Sequence, residues 1–107
     1  MDNSRYQVLV DVAFRKVVDL FDAIDTDFAD CEAAGDVITI TFAGQKRCVV
    51  NTQRPTRQIW LAANARAWHF SYDEALQAWV DDKGHGDEMF RTLTTIAREW
   101  GGVQLAE

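Results

Sequence analysis

Residues 36–51 read DVITITFAGQKRCVVN. In the first seven, Ile38, Ile40 and Phe42 alternate with Val37, Thr39 and Thr41, the period of a β-strand with one face in a core. AGQ at 43–45 marks a turn, and KRCVVN at 46–51 reads as the hairpin partner. Further strand candidates lie on either side: DCEA (30–33), RQIWLA (57–62), AWHFSY (67–72) and ALQAWVD (75–81), with DKGHGD (82–87) as a loop. At both ends the period changes to that of a helix. Residues 4–24 place Tyr6, Leu9 or Val10, Ala13, Val17, Leu20 or Phe21, and Ile24 on one stripe, with Ser4 as the cap. Met89, Leu93, Ile96 and Trp100 repeat that spacing, and Gly101-Gly102 ends it. This order predicts an α+β fold: an antiparallel meander of five or six strands, with N- and C-terminal helices packed on one face (α-β(5-6)-α) and the other face open to water. The whole chain, 1–107, is long enough for one core and reads as a single domain.

Composition narrows the function classes. No apolar run approaches the roughly 18 residues of a membrane helix, and MDNSRYQVLVD has no apolar stretch of a secretory signal. Cys31 and Cys48 form no CxxC or Cys/His metal spacing and read as buried thiols of a reducing compartment, so a cytoplasmic location is expected. The net charge of −6 is concentrated. Val17–Gln45 holds no Lys or Arg and carries −7, and the rest of the chain carries +1. Such a surface repels nucleic acid and anionic membranes and attracts cations or a basic protein face. Neither a Ser-His-Asp order, a P-loop nor a GxGxxG occurs.

Within that block Asp19 and Asp22 share a helix face and Asp25 continues it, with Asp11 two turns earlier. Asp27, Asp30 and Glu32 carry the acids along the adjoining loop and strand. Carboxylates, partly through water, hold Fe²⁺, Fe³⁺, Mn²⁺ or Ca²⁺. An exposed string is not a cage, so weak and unselective binding is expected. The plainer reading is a solvated face that keeps the chain dispersed.

In NTQRPTRQIWLA (51–62), Ile59 and Leu61 point to the core, which leaves Gln58 and Trp60 in water on the open face. A tryptophan among amides there reads either as a packing residue or as the anchor of a partner. His69, between Trp68 and Phe70, falls near Trp60 and either joins that surface or is a solvated histidine. His85, beside Asp81, Asp82 and Asp87, is a weaker metal-ligand candidate than an exposed turn residue.

DCEAAGDVITITF (30–42), NTQRPTRQIWLA, WHF (68–70) and AWVDD (78–82), followed by a closing helix, resemble the frataxin family, its bacterial members above all, over nearly the whole chain. The most specific piece is Asn51-x-Gln53-x-Pro55-x-x-Gln58-Ile59-Trp60-Leu61. The resemblance implies two helices on one face of an antiparallel sheet. It also implies a non-enzymatic regulator of iron–sulfur cluster assembly that binds iron weakly and acts on a cysteine desulfurase and its scaffold protein. Asp11, Asp19, Asp22, Asp25, Asp27, Asp30 and Glu32 would meet the metal, and Asn51, Gln53, Gln58, Trp60 and His69 the partner. A monomer with iron-induced oligomers is the expected state. Two other classes are a ferroxidase and a metal-independent acidic docking module. Three places depart from the family: Val17-Val18 stand where bacterial members often carry acids, Tyr6-Gln7 replaces an N-terminal histidine, and SYDEALQA is about two residues longer.

Overall fold

The hairpin at 36–51 forms as its alternation predicts, with Ile38, Ile40, Cys48 and Val50 fully buried and Ile40 paired with Cys48. The computed structural model describes residues 1–84 and 86–106. Its elements are α1 (Asn3–Asp22), β1 (Ala29–Ala34), β2 (Val37–Phe42), β3 (Arg47–Gln53), a 3-10 turn (Arg54–Thr56), β4 (Gln58–Ala63), β5 (Arg66–Asp73), β6 (Ala78–Asp81) and α2 (Met89–Gly101). All six strands lie in chain order, each antiparallel to the last. The core is built from Ile38, Val50, Ile59, Leu61 and Phe70 of the sheet against Tyr6, Val10, Val17 and Phe21 of α1 and Leu93 and Ile96 of α2. Both helices therefore cover one face, as the period-3.6 stripes require.

Local chemistry moves several boundaries from their sequence expectation. Asp2, not Ser4, caps α1: its carboxylate accepts the Arg5 N–H at 2.8 Å, while Ser4 lies inside the first turn. Aspartate caps as well as serine and also complements the helix dipole. Ile24 falls beyond the end of α1 and is half-buried. Residues 74–77 form a turn, so β6 begins at Ala78 rather than Ala75. Arg57 is outside β4, in a left-handed conformation that closes the Arg54–Thr56 turn, its N–H donating to the Arg54 carbonyl. The strands of this reversal are held by α1. The Tyr6 hydroxyl donates to the Gln58 carbonyl at 2.6 Å and accepts the Gln53 N–H at 3.2 Å, across the pair that ends β3 and begins β4.

The Gly101-Gly102 pair has two separate causes. Gly102 adopts φ of 60°, and its N–H donates the C-cap bonds to the Ala97 and Arg98 carbonyls of α2. Gly101 is needed for space, because a Cβ there would meet the buried Phe42 ring at 2.5 Å. Asn64 and Ala65, with φ of 49° and 61°, make the two-residue turn between β4 and β5. Both positions need the left-handed region, which asparagine adopts at less cost than alanine.

In urea melts Ala65→Gly is expected to raise stability by up to about 1 kcal/mol, because it relieves a left-handed alanine. Gly101→Ala should lower it by about 1–3 kcal/mol through overpacking against Phe42. A neutral Gly101→Ala would show that the helix terminus shifts freely.

Candidate functional site

The acids and the aromatic residues occupy different places. Asp11, Asp19 and Asp22 lie on α1, Asp25 and Asp27 in the following turn, and Asp30 and Glu32 on β1. All seven are exposed, and among the described residues none forms an ion pair. Two are ordered locally: Asp25 accepts the Asp27 N–H at 2.9 Å, and Asp11 accepts the Gln7 amide at 2.8 Å. Asp22 and Asp30 both lie near Cys31, whose thiol is pushed up to about 11 by burial first and by these two charges second. Asp27, Asp30 and Glu32 border an open cleft of about 600 Å³ together with Thr39, Thr41 and Arg47. Pairing of Arg47 with Thr41, and of Thr41 with Asp30, sets that base on the same row as Asp30. Among the described residues no three carboxylate, imidazole or thiol groups converge to hold a metal ion. The arrangement is a surface of uncompensated charge, suited to water-bridged cations or a basic partner.

Of the Val17-Val18 pair, Val17 is fully buried in the core, so a ridge acid has no place there, while Val18 is partly buried against that core and carries no charge to the surface. Of the Tyr6-Gln7 pair, Tyr6 is a core residue, packed edge-on to Trp79 at 6.2 Å between ring centroids, and Gln7 is half-buried and donates to Asp11.

Asn51, Gln53, Gln58, Trp60 and His69 are brought together on the open face. Asn51 pairs with Trp60 and Trp60 with His69, in one row across β3, β4 and β5; Gln53 and Gln58 pair in the next row. Two of them differ from the sequence expectation. Trp60 is half-buried rather than free in water, because its ring stacks on His69 at 4.1 Å and an interplanar angle of 15°. Gln58 is only 9 % exposed. Its Oε1 accepts the Trp60 indole N–H at 2.9 Å, and its Nε2 donates to Ser71 Oγ at 3.1 Å and to Asp82 Oδ2 at 2.9 Å. The amide orients the tryptophan rather than reaching into solvent. Ser71 and Asp82 are the members that sequence reading missed. Ser71 shares the parity of His69, which could have placed it on this face; Asp82 fell in a presumed loop. His85 lies outside the described residues.

A family model described as a frataxin-like domain matches residues 1–102. Among curated relatives, the iron-sulfur cluster assembly protein CyaY of Stutzerimonas stutzeri is 35% identical over 98% of this chain and 94% of its own. That of Pseudomonas aeruginosa is 37% identical over 95% and 93%, and that of Delftia acidovorans 42% identical over 78% and 73%. Among solved structures, frataxin from Psychromonas ingrahamii has the same fold at a TM-score of 0.88 and 24% identity, covering 98% of this chain and 96% of its own. Trimeric frataxin from the yeast Saccharomyces cerevisiae, complexed with ferrous iron, superimposes at 0.70 and 22% identity over 96% and 90%.

The two thiols provide a check on the site's local packing. Burial pushes Cys48 up to about 12 and Cys31 to about 11, against an ordinary 9.0. Cys31 should therefore carry about a hundredfold less thiolate than a free cysteine at pH 8 and label correspondingly slowly with a neutral-pH thiol reagent. Both folded pKa values are raised, so their contribution to stability is whole below about pH 9 and is lost as pH climbs toward 11 and 12. Rapid labelling of Cys31 at pH 8 in the folded chain would contradict this packing.

Proposed function

The chain belongs to the frataxin-like family, and we propose that it serves iron–sulfur cluster assembly as an iron-binding regulator of a cysteine desulfurase–scaffold complex. The observation that carries this reading is the exposure of Asp11, Asp19, Asp22, Asp25, Asp27, Asp30 and Glu32 with no Lys or Arg paired to any of them among the described residues. Folding toward a minimum would neutralise such a set, since each close like-charge pair costs a few tenths of a kcal/mol. A surface left charged at that cost has an external counter-charge. Iron is a fitting cargo for oxygen ligands, and a basic protein face fits the same carboxylates. The named role of the relatives in iron–sulfur cluster assembly supports both.

The two surfaces divide the work. The acids steer a basic partner and gather Fe²⁺ or Fe³⁺ weakly, with Mn²⁺ or Ca²⁺ able to substitute. Trp60, braced by His69 and flanked by Asn51 and Gln53, holds the docked state. The regulator reading places no catalytic residue. A ferroxidase would unite histidine with carboxylates in a protected core, whereas His69 is committed to the Trp60 stack on β5.

Anaerobic calorimetry with Fe²⁺ is expected to show dissociation constants of about micromolar or weaker, about 8 kcal/mol at most. Asp22→Asn with Asp25→Asn should weaken that binding and raise the melting temperature as repulsion falls. An unchanged titration removes these residues from the site, no heat at all favours the metal-independent docking module, and catalytic O₂ consumption on adding air favours the ferroxidase.

Binding kinetics to the desulfurase–scaffold complex separate the two surfaces. The acid-to-amide variants should slow association and flatten its salt dependence, whereas Trp60→Ala should speed dissociation and cost about 2 kcal/mol or more. Wild-type dissociation of Trp60→Ala would make this tryptophan a packing residue.

A further inference from the structure

We propose that Asp82 is the positioning residue of the Trp60 surface, acting through Gln58 and His69; this rests on the reading of Trp60 as the partner anchor. Asp82 follows β6, and its side chain is about one-third exposed at 33%. A single carboxylate oxygen, Oδ2, lies 2.9 Å from Gln58 Nε2 and 3.8 Å from His69 Nδ1. The Asp82 backbone N–H also donates to the His69 carbonyl at 2.8 Å. One residue thus reaches both supports of the indole: the amide that accepts its N–H and the ring stacked on its face.

The carboxylate holds the direction of the chain of hydrogen bonds from one end. An ionised aspartate accepts and cannot donate. It therefore draws the NH₂ end of the Gln58 amide toward itself, which turns Oε1 to the Trp60 N–H. The reversed amide would set oxygen against carboxylate and NH₂ against indole N–H, two repulsive contacts at hydrogen-bond range. Ser71, the other neighbour of Gln58 Nε2, imposes no choice, because a hydroxyl donates or accepts equally well. The donor-only indole N–H asks for the same orientation, and among the described residues Asp82 is the acceptor-only group that holds the amide in it from the other end, and with it the pose of Trp60. A further consequence is that the indole N–H is spent inside the protein. A partner meets the carbon surface of the ring and gains no hydrogen bond from its nitrogen.

Asp82→Asn keeps the shape but offers both a donor and an acceptor, so the amide is no longer held in one direction from this end. The readout is the indole ¹H–¹⁵N resonance of Trp60 in the full chain and its exchange with water. We expect exchange about tenfold faster or more, in line with the loss of a charge-assisted bond, with the indole signals of Trp68, Trp79 and Trp100 unmoved. Gln58→Met removes the acceptor itself and should give the same signature independently of Asp82. Asp82→Glu, which keeps an acceptor-only group, should retain slow exchange. Unchanged Trp60 exchange in Asp82→Asn, alone or beside a changed Gln58→Met, overturns the proposal. If Trp60→Ala binds the desulfurase–scaffold complex as wild type does, the anchor reading fails, while the indole signal still decides the role of Asp82.

Discussion

A six-stranded meander has two faces, and this chain has two helices, both on the same one. That one-sided burial governs the rest. Side chains at alternate positions go either into the core or onto a face that must support itself without a cover. Ile59 and Leu61 take the first course and are fully buried; Gln58 and Trp60 take the second. On the open face an apolar ring has no helix to pack on, so it packs sideways, on His69, and its polar edge is satisfied by Gln58. Aromatic stacking of this kind contributes about 0.5–1.5 kcal/mol beyond area burial, enough to hold one pose and far below what a core residue supplies. The pose is therefore specific without being part of the foundation.

The reversal between β3 and β4 shows how the covered face controls the open one. Tyr6 reaches from α1 to bond Gln53 and Gln58, the last pair before the turn. Those two residues point their side chains to the opposite face. A helix on one side of the sheet thereby fixes the backbone register on which the other side's amide network is built. Burial raises the Tyr6 pKa, so the phenol stays a donor to the Gln58 carbonyl across the ordinary pH range.

Most of the fold was legible, because it rests on period. Ile38, Ile40 and Phe42 in one strand and Tyr6, Val10, Ala13 and Val17 in one helix declare their faces by spacing alone. What spacing cannot express is contact between distant residues. Asp2 competes with Ser4 for the cap, and only backbone geometry decides between them. Gln58 has the parity of an exposed residue and is nevertheless covered, since Ser71, Asp82 and Trp60, from three separate stretches, close around it. The acids were legible as a charge block; that Asp30 and Glu32 share a cleft with Arg47 needed the strand register.

β1 is the outermost strand of the sheet on one side, and nothing among the described residues pairs beyond it. An unpaired edge is a template on which another chain can add a strand, and proteins guard such edges with charge. Asp30 and Glu32 stand on this strand, and their like charge opposes one copy zipping onto the next. Removing that charge would remove the guard, so the colloidal behaviour of the chain depends on two side chains of its edge strand.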